Sequence, residues 1–183
     1  MAKRERLLLV DGYNVLGAWP SVAKGRTMDE ARDFLIHQLQ DYAGFTGQRV
    51  TVVFDAWQGE RMSRTQETRG ALTIVFTQKG ELADHYIERA CDELARRIEL
   101  GRIEVRVATS DALEQTVVMA RGAIRLSARE LIYEINQSQK GAAPYAQQQV
   151  KAGRTTIYDH LPQETRERLK AWIEQGKSDR RRD

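Results

Sequence analysis

Arg6-Leu7-Leu8-Leu9-Val10-Asp11-Gly12-Tyr13-Asn14 is the stretch on which the fold turns. Four strongly apolar residues run together without helical spacing and then stop at an aspartate. That pattern suits a strand covered on both faces, as in a parallel sheet flanked by helices. The pattern recurs down the chain. Arg49–Phe54 ends at Asp55, and Ile103–Ala108 leads through Thr109 and Ser110 to Asp111. Ala71–Thr77, rich in β-branched residues, and the short Ala123–Leu126 read as two further strands.

Helical patterns separate these runs. One begins near Thr27, which has capping-box spacing to Glu30, and carries Met28, Ala31, Leu35, Leu39 and Tyr42 on one face. A second, Leu82–Leu100, has the stripe Ile87, Ala90, Leu94, Ile98 and stops at Gly101. A third spans Asp111–Arg121, and a fourth follows Ser127, again with capping-box spacing to Glu130. The alternation predicts an α/β domain over residues 1–135 with a central, mainly parallel sheet of about five strands. Gly12, Gly17 and Pro20 read as a loop after the first strand, and Trp57 to Gly70 as a polar, arginine-bearing connection.

Residues 136–183 form a C-terminal extension. The Gln- and Ala-rich stretch 137–153 has no steady period and reads as a mobile linker. A final helix is expected from Pro162, with Leu169, Trp172 and Ile173 along one edge and Gly176 at its end, before a charged tail. The extension holds ten Lys/Arg against six Asp/Glu, so the chain's net charge of +3 resides there. A basic tail favours polyanions through counterion release.

Composition narrows the class. With 41% apolar and 30% charged residues, the chain reads as globular. No apolar run reaches the ~20 residues of a membrane span. The short apolar stretch near the N-terminus is no signal-peptide core, so a cytoplasmic location is expected. The single Cys91 cannot form an internal disulfide or a cysteine-rich zinc site. His37, His85 and His160 lack HExxH-type spacing.

The chemistry sits on the aspartates. Strand ends of an open parallel sheet share a rim outside which ligands bind. Asp11, Asp55 and Asp111 fall on that rim, and Asp84 opens the helix between the last two. Each has an ordinary structural explanation: an Asx turn or N-cap at Asp11, a loop start at Asp55, a first-turn carboxylate at Asp84, a capping residue at Asp111. Their joint placement favours a hard divalent cation, Mg²⁺ or Mn²⁺. Such an ion relieves carboxylate repulsion and lowers the pKa of a bound water. Asn14, one turn after Asp11, is suited to orienting water or phosphate. Arg61, Arg64, Arg69, Lys79 and Arg121 are candidates for holding the phosphates of a nucleic-acid backbone, although taken singly each reads better as solvated surface charge.

The quoted strings are familiar in combination. Asp11-Gly12-Tyr13-Asn14-Val15-Leu16-Gly17, Val52-Val53-Phe54-Asp55-Ala56, Ala83-Asp84-His85-Tyr86-Ile87-Glu88, Ala108-Thr109-Ser110-Asp111 and Ser127-Ala128-Arg129-Glu130 resemble, in order and spacing, the YacP-like NYN-domain ribonucleases, relatives of the PIN nucleases. The resemblance runs from Leu7 to Ile135. It implies a PIN-like three-layer α/β/α domain and divalent-metal endoribonuclease activity on single-stranded RNA. It places metal roles on Asp11, Asp84 and Asp111, with Asp55 and Asn14 supporting. It further implies association with ribosomes or translated mRNA. Two positions depart from the pattern: Leu82 stands where a small polar residue is expected, and His85 where a small or acidic one is usual.

Other classes compete. A non-catalytic RNA- or ribosome-binding module would keep the fold and work through the basic tail and Trp172. An aspartyl-nucleophile phosphatase would want a second aspartate at the place of Tyr13. A dinucleotide-binding domain would want G-x-G-x-x-G, which Gly12 and Gly17 do not supply.

Overall fold

The structure is a computed structural model that describes residues 4–56 and 63–152, with residues 112–114 and 142–152 described by their backbone alone. In chain order the elements are β1 (Glu5–Asp11), α1 (Gly12–Gly17), α2 (Pro20–Ala23), α3 (Met28–Thr46), β2 (Arg49–Phe54), β3 (Thr65–Arg69), β4 (Leu72–Phe76), α4 (Ala83–Glu99), β5 (Ile103–Ala108), α5 (Ala112–Ala120), β6 (Ile124–Leu126) and α6 (Ala128–Ala152). One six-stranded sheet has the order β3-β4-β2-β1-β5-β6. All neighbours are parallel except β3 and β4.

The alternation of side chains along β1 divides the core into two layers. Leu8 and Val10 pack with α3 and α6 residues such as Leu35, Leu39, Leu131 and Ile135. Leu7 and Leu9 face the opposite layer, with Ile87 and Cys91 of α4 and Val118 of α5. Every one of these residues is buried. Burial on both faces is why β1 reads as an unbroken apolar run. At roughly 1.5–3 kcal/mol per buried aliphatic side chain, these two layers are the main source of stability.

Helix α3 starts where Thr27 predicts. The Thr27 side chain accepts from the Glu30 amide, and the Glu30 carboxylate accepts from the Thr27 amide at 2.7 Å. Ser127 and Glu130 repeat this arrangement before α6.

Three stretches differ from their sequence reading. The Gly12–Pro20 loop is two short helices, α1 and α2, with Pro20 at the first position of α2. The polar connection holds an additional strand, β3, whose five residues are all exposed. It pairs antiparallel with β4 through a two-residue loop that places Gly70 at φ +59°. A strand with both faces in water lacks the apolar alternation that marks strands, and its charges suit a sheet edge. Residues 137–152 are helical rather than a linker, as part of α6. Gln and Ala are good helix formers, and the missing apolar period does not distinguish an exposed helix from coil. The compact unit carrying the sheet ends at Gly141. Trp57, Arg61, the helix expected from Pro162 and the charged tail lie outside the described residues.

No helix among the described residues is long and apolar enough to cross a membrane.

Candidate active site

The sheet order places a topological switch at the centre. From β1 the chain moves to β2 and onward to one edge, and later returns to β5 on β1's other side. Chain crossovers diverge between β1 and β5, leaving a crevice at their C-terminal ends. Asp11 ends β1 at this crevice, and Ser110 and Asp111 follow β5.

Asp11 doubles as the N-cap of α1: its Oδ1 accepts from the Asn14 amide at 3.0 Å. Gly12 permits this turn by having no side chain. A Cβ at Gly12 would stand 2.2 Å from Cε1 of Phe54. The Phe54 ring is fully buried, edge-on to Tyr13 at 5.2 Å and stacked on Phe76 at 5.5 Å.

Asn14 ties the two rims together. Its Oδ1 accepts from the Ser110 amide at 2.6 Å. The buried Thr109 holds the next turn through its Oγ1, which accepts from the Asp111 amide at 3.1 Å. The Thr109 carbonyl accepts from Gln115 Nε2 at 2.6 Å. Thr77 does similar work beyond β4, accepting from the Ala56 amide at 2.9 Å. Thr77, Thr109 and Gln115 carry no site role in the sequence reading. A threonine immediately after an apolar strand is the sequence signal that Thr77 and Thr109 offer; Gln115 offers none.

Asp55 anchors α4 from outside the helix. Leu82, the N-cap of α4, supplies no side-chain bond, and the Asp55 carboxylate accepts from the Ala83 amide instead. A carboxylate at a helix N-terminus satisfies an orphan donor and meets the positive end of the dipole. This holds Asp84, the next residue, beside the end of β2. Asp84 Oδ1 accepts from the His85 amide at 2.7 Å.

Asp11, Asn14, Asp55, Asp84 and Asp111 line one open cavity of about 170 Å³, with Leu82 and Ala83. Two of the carboxylates are shifted. Burial pushes Asp11 up to about 6; the Asn14 amide opposes this, and the charges of Asp55 and Asp84 add to it. Burial also raises Asp55, opposed by the Ala83 amide and reinforced by Asp84, while His85 draws it down. Asp111 is exposed at the cavity's edge. Among the described residues, no three carboxylate, imidazole or thiol groups stand close enough together to hold a metal ion as they are placed. The carboxylates thus line an open recess, not a finished cage.

The basic candidates are placed differently. Arg64 is bound to the buried Glu81, with Nε at 3.2 Å from Oε2, and lies over the Tyr86 ring at 4.9 Å. Arg121 pairs with Asp92 and donates to the Val117 carbonyl at 3.1 Å. Arg69 pairs with Glu67 along the β3 edge at 2.6 Å. Lys79 is exposed in the turn before α4. None of these four lines the carboxylate cavity.

Two further arginines, without a role in the sequence reading, sit among α1, α2 and α3. Arg32 packs over the Phe76 ring at 5.3 Å, bonds the Tyr13 side chain and pairs with Asp29 at 2.7 Å. Arg26 donates to the Val22 carbonyl at 3.0 Å and lies over the Phe34 ring at 4.9 Å.

A sheet of this order, with carboxylates gathered at its switch point, defines an α/β domain of the NYN type. The chain belongs to the YacP-like NYN domain family, whose model matches residues 8–174. It is 42% identical over 131 residues to Uncharacterized protein YacP of Bacillus subtilis (strain 168), covering 70% of this chain and 74% of that protein. The crystal structure of Rae1 (YacP) from Bacillus subtilis superposes with a TM-score of 0.66 at 34% identity, over 94% of this chain and 95% of that one. A tryptophan-to-leucine mutant of the same protein gives a TM-score of 0.66 at 32% identity, over 91% of this chain and 98% of that one. This membership supports a function of the ribonuclease type.

Proposed function

We propose that the protein is a divalent-metal-dependent endoribonuclease acting on single-stranded RNA. The observation that carries this reading is the cavity at the switch point, lined by Asp11 at the end of β1, Asp55 after β2, Asp84 of α4 and Asp111 after β5. Burial raises both Asp11 and Asp55, and the neighbouring charges add to it, Asp55 and Asp84 on Asp11 and Asp84 on Asp55. Carboxylates in this number suit Mg²⁺ or Mn²⁺. Asp11 and Asp84 would hold the ion, with Asp111 completing the set from the rim, directly or through water. When bound, the ion would lower the pKa of a water and polarise a phosphoryl oxygen.

The chain's own residues supply the positioning. Asp55 fixes Asp84 by anchoring α4 at Ala83. Asn14 fixes the β5 rim at Ser110 and brings its amide group to the cavity wall. Protons and metal compete for Asp11, which is raised to about 6 in the metal-free protein, so the metal concentration needed for cleavage rises as pH drops below about 6.

The test is incubation of purified protein with short single-stranded RNAs and Mn²⁺ or Mg²⁺, against an EDTA control. Cleavage is expected with metal and absent in EDTA. Asp84→Asn is expected to lose it by roughly a hundredfold or more, as removal of a metal ligand should. RNA binding that is equal in EDTA and never followed by cleavage would establish a binding module instead. Cosedimentation with ribosomes would test the further association that the family likeness implies.

A milder effect is expected at Asn14. Asn14→Ala leaves the Ser110 amide without its acceptor, which costs about 1 kcal/mol in a urea melt. Cleavage should fall about 10- to 100-fold, as for residues that orient a site.

A further inference from the structure

We propose that a second, larger cavity beside the carboxylates seats one unpaired nucleobase of the RNA strand being cut. This rests on the nuclease reading and adds to it the subsite that grips the substrate. The cavity has a volume of about 320 Å³ and is enclosed by α1, α2 and α3. That is the lower end of the range for small-molecule pockets, the size of a nucleoside rather than a peptide or duplex.

Its lining matches a base. Tyr13, Leu16, Met28 and Ala31 give apolar and aromatic surface, and Arg26 and Asp55 give the polar groups. Proteins that hold single-stranded nucleic acid combine these elements: a flat apolar or aromatic surface for the base, and a cation for the backbone. Met28 is 46% exposed although it lies on the face of α3 that continues into the core. An occupant here would cover it. Arg26 is held in place before any ligand arrives, by the Val22 carbonyl and the Phe34 ring, which is itself braced by Trp19 at 5.8 Å. Little side-chain freedom remains to be lost on binding.

Continuity fixes the occupant. Asp55 belongs to the wall of both cavities. A base in the larger one therefore lies within about one nucleotide of a phosphate in the smaller one. An N–H group on the base's pairing edge would meet the Asp55 carboxylate. Arg26 would face the attached phosphate. A duplex could not present its base this way, because the base would have to leave the stack. An occupied cavity of this kind would favour single strands over duplexes.

Gly17 offers a clean probe. It lines the cavity, and a Cβ added there meets nothing within 4 Å, so a side chain grows at the mouth without backbone strain. The experiment uses a series of ribo-octamers, each with one base replaced by hydrogen, cut by the full chain with Mn²⁺. For the parent, loss of the base next to the scissile bond should lower kcat/KM about tenfold or more, with smaller effects elsewhere. In Gly17→Phe the intact octamer should be cut as poorly as the abasic one, so the penalty shrinks to about twofold or less. A parent that cuts intact and abasic RNA equally, or a penalty that persists in full in Gly17→Phe, would overturn the base site and leave the nuclease reading standing. A parent that cuts no RNA would overturn both.

Discussion

Asp11→Asn is expected to extinguish RNA cleavage and, in the same molecule, to make the metal-free protein more stable. The isosteric amide keeps an Oδ1 to accept from the Asn14 amide, so the cap on α1 survives. It removes a charge that is costly to hold. Burial, Asp55 and Asp84 together place Asp11 at about 6, well above an ordinary aspartate. The sign follows from proton binding. Between about pH 4 and pH 6 the folded state keeps a proton on Asp11 that the unfolded state has released, so stability contributed by this group is lost as pH rises through 6. Above 6 the full penalty applies, on the order of 1–3 kcal/mol. In EDTA at pH 8 the variant should therefore melt several degrees higher, about 2–4 °C per kcal/mol for a chain of this size. The difference should fade by about pH 4. Saturating Mn²⁺ should reverse the ranking, since an ion bound to the folded state alone stabilises the parent by mass action. Cleavage should drop by roughly a thousandfold. A variant that melts below the parent in EDTA at pH 8, or cuts RNA at the parental rate, would contradict the account.

This coupling of strain and function also explains what was legible beforehand. β1, β2 and β4 are mostly covered on both faces and read as nearly continuous apolar runs, while β5 alternates buried Ile103, Val105 and Val107 with half-buried Glu104 and Arg106. Asp11 and Asp55 stand out because each breaks such a run at its end, Asp111 follows β5 by three residues, and Asp84 shows only as a carboxylate at a helix start. The capping boxes at Thr27 and Ser127 are local and show as spacing alone. Where stability comes from partners distant in the chain, the sequence is mute. Asp55 serves as the cap of α4 from 28 residues away. Arg64 reads as a phosphate ligand until Glu81 is seen to hold it: burial would raise that carboxyl, yet the bonds from Arg64 keep it below the usual range. β3 has hydrogen bonds to β4 but no apolar face, and the cavity between α1, α2 and α3 exists only once those three helices pack.

The same dependence on a distant partner makes Gly12→Ala the more damaging change to the fold. Considered locally, alanine should help: Gly12 is the first residue of α1, and alanine favours helix by about 1 kcal/mol over glycine. Its backbone needs no positive φ. The obstacle is Phe54, 42 residues on, whose Cε1, Cδ1 and Cζ would lie 2.2, 2.5 and 2.8 Å from the new Cβ. That ring cannot simply rotate away, because Tyr13 meets it edge-on, Phe76 stacks on it and Arg32 lies across Phe76. Either the ring is driven off its rotamer or the Asp11–Gly12 turn lifts from β2. Overpacking of this kind costs about 1–3 kcal/mol or somewhat more, outweighing the helical gain. A urea melt should show the midpoint falling with an unchanged slope. Cleavage should fall too, because the turn that lifts carries Asp11 and Asn14. Phe54→Leu, which opens space beneath Gly12, should itself destabilise but should absorb most of the added cost of Gly12→Ala. The coupling energy in that cycle is expected to be about 1 kcal/mol or more. Strict additivity of the two changes would mean that the aromatic ring is not what requires glycine after Asp11.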